Sequence, residues 1–179
     1  MKIIGGQYKG HNFFMPAGIR PTQNIVRKAL FDLLGQDLSG LTFLDLFAGS
    51  GAVGFEALSR GAQSCTFVER DIKCVKMIGR NAKIFNSPYE IIEKDAFFTI
   101  KELAREGRKF DIIFLDPPYG QTLAKKALKT LGAYVIVHPA SWVVVQHQRG
   151  ERLLPKSGQL KIIQEKQYGG SVLSLYNFE

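Results

Sequence analysis

Leu44-Asp45-Leu46-Phe47-Ala48-Gly49-Ser50-Gly51-Ala52-Val53-Gly54 decides the fold of this 179-residue chain. The apolar run over residues 42–47 reads as a core strand, and residues 50–60 read as a helix that opens directly from a glycine-rich loop. Glycines at 49, 51 and 54 form a G-x-G-x-x-G pattern. The first permits a tight turn, the second lets a ligand approach the backbone, and the third lets helix and strand lie close. Glu69 ends the next strand twenty residues after Gly49, where a carboxylate can accept both hydroxyls of a ribose. A lone glycine pattern says little. Here it follows a strand, opens a helix and has the distal acid, and that context points to a nucleoside-bearing ligand.

Asp45 narrows the ligand further. An acid at the strand end faces the same crevice, repels phosphates and accepts hydrogen bonds from an ammonium group. S-adenosylmethionine carries an ammonium and a ribose but no phosphate, and it fits better than NAD. Asp95 follows a third strand and could accept the adenine amino group. It also precedes a helix, so it could equally be that helix's N-cap.

Outward from the loop, strand and helix alternate. Strands are predicted over 42–47, 65–69, 90–93 and 110–115, with helices over 50–60, 72–85, 97–105 and 123–131. Those lengths suit βαβ units and a mainly parallel sheet, so the fold class is α/β. The last third reads as strands over 142–146, 159–167 and 171–178, the final two forming an antiparallel hairpin around Gly169-Gly170. Before the core, residues 2–4 and 12–15 suggest a small hairpin. A helix follows over 23–34, with Ile25, Val26, Ala29, Leu30, Leu33 and Leu34 on one face. Thr22 is placed to cap it. Residues 1–38 are thus a basic extension of the same globular unit, and 39–179 the α/β domain.

The strand over 110–115 ends in Asp116-Pro117-Pro118-Tyr119. Ligands in open α/β sheets bind beyond the carboxyl ends of strands. Neither proline has an N–H and both fix φ, so the Asp116 carboxylate and the Pro117 carbonyl are left as outward acceptors suited to gripping an amino group. The bland alternative is a strand-terminating turn. Its position in the same sheet as the glycine loop favours the catalytic reading.

Composition bounds the rest. Hydrophobic residues make up 45% and charged residues 22%, ordinary for a soluble globular chain, and a single domain is expected. No apolar stretch is long enough to span a bilayer and the start lacks a signal-peptide core, so a cytoplasmic protein without membrane association is expected. His11, His138 and His147 lack metal-ligand spacing, and no metal is expected. Cys65 and Cys74 read as reduced thiols. The net charge of +8 suggests an anionic partner. The first thirty residues hold Lys2, Lys9, Arg20, Arg27 and Lys28 and no acid, so positive potential concentrates there. Oligomeric state is unreadable, and a monomer is the default expectation.

The chain resembles the class I S-adenosylmethionine-dependent methyltransferases. It more closely resembles the bacterial 16S ribosomal RNA guanine-N2 methyltransferase family. Arg20-Pro21-Thr22, Val26 to Phe31, the Leu44 to Gly51 loop continuing through Glu56 to Ala62, Phe67 to Asp71, and Phe110 to Tyr119 carry the likeness. It implies a Rossmann-like fold, S-adenosylmethionine as cofactor, and 16S rRNA or an assembling 30S subunit as partner. It also implies a cofactor site of Asp45, Phe47, Gly49, Gly51, Glu69, Arg70, Asp95 and Ala96, with Asp95 at the adenine and with Thr22 and Arg20 near the methionine end. Lys9, Arg20 and Arg27 become the candidate RNA contacts, and Asp116, Pro117, Pro118 and Tyr119 the catalytic corner. One departure is visible, since Gln146-His147 stands where the family usually has Glu-His. Two other functions remain open: a DNA adenine- or cytosine-amino methyltransferase, and a catalytically silent RNA-binding assembly protein.

Overall fold

The computed structural model describes residues 1–15, 24–119 and 122–178. The chain runs α1 (Asn24–Leu34), β1 (Thr42–Leu46), α2 (Ala52–Ser59), β2 (Ser64–Glu69), α3 (Ile72–Ala82), β3 (Tyr89–Glu93) and α4 (Ala96–Arg105). It continues through β4 (Phe110–Leu115), α5 (Leu123–Ala133), β5 (Val137–Gln148), β6 (Lys156–Ser157), β7 (Leu160–Tyr168) and β8 (Ser171–Phe178). Among the described residues the strands form one eight-stranded sheet, ordered β3-β2-β1-β4-β5-β8-β7-β6. Strands β1 to β5 pair in parallel, and β5, β8, β7 and β6 pair antiparallel. The α/β reading holds, including the C-terminal hairpin.

Period-two alternation explains the two cores. Phe43, Phe67, Ile112, Phe114 and Val144 face a cluster completed by α1, α2 and α3. Their neighbours Leu44, Val68, Ile113, Leu115 and Val145 face the cluster under α4 and α5. Strand order reverses beside β1, which lies between β2 and β4. The carboxyl ends of β1 and β4 therefore frame the crevice where such sheets bind ligands.

The N-terminal extension forms a short ribbon. Lys2 bridges Asn12, Ile3 N–H donates to the His11 carbonyl at 3.0 Å, and Phe13 N–H donates to the Met1 carbonyl at 2.8 Å. Ile3 and Phe13 enter the first core. The ribbon also covers α2, whose residues are all buried. Ile4 N–H donates to Glu56 Oε2 at 3.0 Å and Tyr8 N–H to Ser59 Oγ at 2.9 Å, so the buried polar side chains of α2 find backbone partners there.

Three expectations change. Ile25 does not share the buried face of α1; it is 61% exposed, and Arg27 is fully buried. Helix α3 stops at Ala82, where the Phe85 N–H turns back to the Ala82 carbonyl at 3.0 Å. Strand β5 begins earlier than residue 142, and β6, at two residues, is too short to show a period.

Candidate active site

A cavity of ≈ 770 Å³ opens at the carboxyl ends of the parallel strands. Phe47, Gly49, Glu69, Arg70, Asp95 and Ala96 line it, and Asp116, Pro117, Pro118 and Tyr119 close another part of its wall. Two motifs about seventy residues apart in sequence thus meet in one cavity, because β1 and β4 are neighbours. Arg20 and Thr22 lie outside the described residues.

Each glycine of the loop has its own reason. Gly49 (φ 53°) lines the cavity and donates its N–H to Glu69 Oε2 at 2.8 Å. Gly51 (φ 74°) is the residue preceding α2 and does not line the cavity; an added Cβ would lie 2.9 Å from Phe55 Cε2. Left-handed backbone with no room beside Phe55 is reason enough for glycine at 51; Asp45, also expected at the cofactor, does not line the cavity either. At Gly54 a Cβ would lie 2.2 Å from Phe67 Cε1, so helix and strand do lie close as expected. Phe47 adopts φ 63° without being glycine, a strained conformation at the mouth of the site, and its ring meets Phe97 edge-on with centroids 5.8 Å apart.

The carboxylates differ sharply. Asp45 is 2% exposed and lies beneath the loop, with Gly54 N–H donating to its Oδ2 at 3.0 Å. Burial pushes its carboxyl up to about 8; the Gly54 N–H opposes this, and the nearby Asp116 and Glu69 charges add to it. Glu69 Oε2 accepts from Gly49, and its Oε1 accepts from the N–H groups of Arg70 and Asp71 at 2.8 and 2.9 Å. Asp95 is the N-cap of α4, its Oδ1 accepting from Phe97 and Phe98 at 2.9 and 3.2 Å. It lines the cavity as well, so the two readings of Asp95 are compatible.

At the other wall, Pro117 is buried and Pro118 exposed. The Tyr119 hydroxyl lies 2.8 Å from Ser171 Oγ and accepts from Gln146 Nε2 at 3.1 Å. Ser171, Phe97, Lys126 and Cys74 also line the cavity and were not anticipated. Lys126 stands over the Phe97 ring at 4.3 Å. Cys74 follows the Asp71 cap of α3, and burial, with Glu69 and Asp71 nearby, pushes its thiol up to about 11, so it stays protonated. Ser171 arrives from β8 through a hairpin that local sequence pattern does not connect to the site.

Arg27 is corrected as an RNA contact. It is fully buried, donating to the Lys2 carbonyl at 2.9 Å, Asn24 Oδ1 at 2.7 Å and Met1 Sδ at 2.9 Å. Burial lowers its pKa. Lys9 remains exposed. Among the described residues no cluster of His, Cys, Asp and Glu is placed to hold a metal, and no helix is long and apolar enough to cross a membrane.

A family model described as Conserved hypothetical protein 95 matches residues 1–177. The ribosomal RNA small subunit methyltransferase D of Buchnera aphidicola is 33% identical over 162 residues, covering 88% of this chain and 84% of its own. Among solved structures, a hypothetical protein of Thermus thermophilus superposes with a TM-score of 0.85 at 30% identity over 99% of both chains. The Thermus thermophilus 16S rRNA N2 G1207 methyltransferase, solved with AdoMet and guanosine, shares the fold with a TM-score of 0.73 at 20% identity, covering 91% of this chain and 44% of that one.

Proposed function

The chain belongs to the conserved hypothetical protein 95 family, and we propose that it transfers a methyl group from S-adenosylmethionine to the exocyclic N2 of a guanine in small-subunit ribosomal RNA. The observation that carries this is the convergence of the Glu69-clamped glycine loop and the Asp116-Tyr119 corner on one cavity. The name of the Buchnera relative supports the RNA substrate, and the guanosine complex of the Thermus enzyme supports the base.

The residues present fit the cofactor. Asp45 is a buried carboxyl with no cation beside it among the described residues, an environment that an arriving ammonium would relieve. Glu69 stands at the cavity wall with both oxygens oriented by backbone N–H groups, suited to ribose hydroxyls. Asp95 and Ala96 would border the adenine. When bound, the cofactor supplies an electrophilic methyl on a sulfonium.

The rest of the chemistry belongs to the corner. A guanine N2 lone pair is delocalised into the ring and is a poor nucleophile. Asp116 and the Pro117 carbonyl accept its two N–H bonds, aim the lone pair at the methyl carbon and stabilise the positive charge that grows on nitrogen. Pro118 fixes the turn. Tyr119 offers its ring to the flipped base, and its hydroxyl is tied to Ser171 and Gln146 so that the ring keeps its place. Exposed Lys9, with Arg20, supplies positive potential for the RNA backbone.

A labelled-methyl transfer assay on undermethylated 30S subunits, naked 16S rRNA and DNA tests this reading. Incorporation into guanine N2 of the RNA is expected. Transfer to DNA alone, or cofactor binding with no transfer to any substrate, would overturn it.

A further inference from the structure

We propose that the outer face of α3 is the track along which the substrate RNA lays its phosphate backbone on the way to the cavity; the proposal rests on the methyl-transfer reading above. Lys73, Lys76, Arg80 and the C-cap residue Lys83 are all exposed. Their spacing of three, four and three residues sets them in one column along the helix, about 15 Å long at 1.5 Å per residue. Helix α3 contains no acidic residue, and none of the four cations forms an ion pair among the described residues.

Such a column works against the folded chain. Like charges at i, i+3 and i, i+4 repel one another. The helix dipole favours cations in the last turn, which accounts for Arg80 and Lys83, but Lys73 stands in the first turn, where the dipole favours an acid. Asp71, the acid at that end, turns its carboxylate to the N–H groups of Lys73 and Cys74 as the helix cap. An anion lying along the column offsets the repulsion, and a strand of phosphates matches both its length and its charge.

The neighbours of the column identify that strand as the substrate. At the N-terminal end Arg70, Asp71 and Cys74 line the cavity, so the column begins where a flipped base must enter. Further along, Phe14 is 54% exposed with the Arg80 guanidinium 3.7 Å from its ring centroid. Asn81 anchors this pair, accepting the Phe14 N–H at 2.9 Å and donating to the Phe14 carbonyl at 2.8 Å. Exposed rings and guanidinium planes are the surfaces on which unpaired bases stack. At the far end Tyr8 packs on Phe85 with centroids 4.6 Å apart, and its hydroxyl accepts the Asn86 N–H at 3.3 Å. The ribbon turn that carries Lys9 therefore adjoins the loop after α3, and α3 links Lys9 to the cavity.

The test measures binding to naked 16S rRNA and to undermethylated small subunits across a salt series. Lys73→Gln with Lys76→Gln keeps helix propensity and should weaken RNA binding on the order of tenfold at low salt. The slope of log affinity against log salt should become shallower by about 1.4 to 1.8, for two phosphates. KM for RNA should rise, while kcat at saturating RNA and cofactor affinity stay within about twofold of wild type. Lys73→Arg with Lys76→Arg should keep the wild-type slope. Lys101→Gln with Lys129→Gln removes the same charge from exposed positions of α4 and α5, across the sheet, and should leave the slope unchanged. An unchanged slope in the Lys73 and Lys76 pair would overturn the proposal, as would an equal change in the Lys101 and Lys129 pair, which would trace the effect to net charge. Binding lost to small subunits but kept on naked rRNA would assign α3 to a protein surface and overturn it as well. Absence of RNA binding and transfer by the wild-type protein would overturn the enzymatic reading and this proposal together, whereas normal transfer with an unchanged slope in the Lys73 and Lys76 pair overturns the proposal alone.

Discussion

Glu69 Oε2 accepts the Gly49 N–H at 2.8 Å, so the acid at the end of β2 holds the glycine loop at the end of β1. Its other oxygen takes two further N–H groups. Substitution Glu69→Gln would turn one of these acceptors into an amide donor facing an N–H. Loss of about 1–3 kcal/mol of folding stability is expected, with weaker cofactor binding as the loop loosens. Urea denaturation and cofactor titration measure the two effects. Weaker binding with unchanged stability would mean that Glu69 meets the ligand without holding the loop.

Asp45 makes cofactor binding depend on pH. Its carboxyl is raised from 3.8 to about 8, so this buried acid is protonated at neutral pH, and pairing with an ammonium requires it ionised. Binding should release a proton, and affinity should rise toward tenfold per pH unit up to about pH 8, then level off. The sign for folding is opposite. A raised pKa contributes stability that is complete below 3.8 and is lost as pH climbs through about 8. Calorimetric titration in buffers of different ionisation enthalpy checks proton release, and Asp45→Asn should flatten the pH dependence. A wild-type affinity independent of pH from about 6 to about 8 would contradict the assignment.

Asp116→Ala separates chemistry from binding. Turnover should fall by about a thousandfold or more, as for other groups that stabilise developing charge. Cofactor affinity should hold or improve slightly near neutral pH, because Asp116 is one of the charges that hold the Asp45 carboxyl up. The break in the pH profile of cofactor binding should also move to lower pH. Parallel losses of affinity and turnover would make Asp116 a cofactor ligand instead.

What the sequence disclosed and withheld has a physical division. The sheet was legible because strands buried on both faces are near-continuous apolar runs, and the turn after β4 because two prolines leave few alternatives. The Asp95 cap was legible, and its place at the cavity wall follows from the same strand-to-helix junction. The reason for Gly51 was hidden because Phe55 and Ile78 fill the space beside it, which depends on tertiary contact. Gln146 reaches Tyr119 through the parallel pairing of β4 with β5, and Ser171 through the pairing of β5 with β8, long-range registers that no local pattern encodes.

Lys9 and Arg27 carry the same charge in the same extension and should respond oppositely to mutation. Lys9 is exposed, so Lys9→Glu should leave folding unchanged and weaken RNA binding most at low salt, with a shallower dependence of affinity on salt. Arg27 meets no solvent and ties α1 to the ribbon through the Lys2 carbonyl. Arg27→Ala would strand that carbonyl and Asn24 Oδ1, and should cost about 2–4 kcal/mol of stability. Its RNA affinity, measured where the variant is folded, should keep the wild-type salt slope, since a buried cation neutralises no phosphate. A reduced salt slope for Arg27→Ala would mean that the ribbon opens to expose Arg27 on RNA, and an unaltered affinity for Lys9→Glu would place the RNA track away from the ribbon.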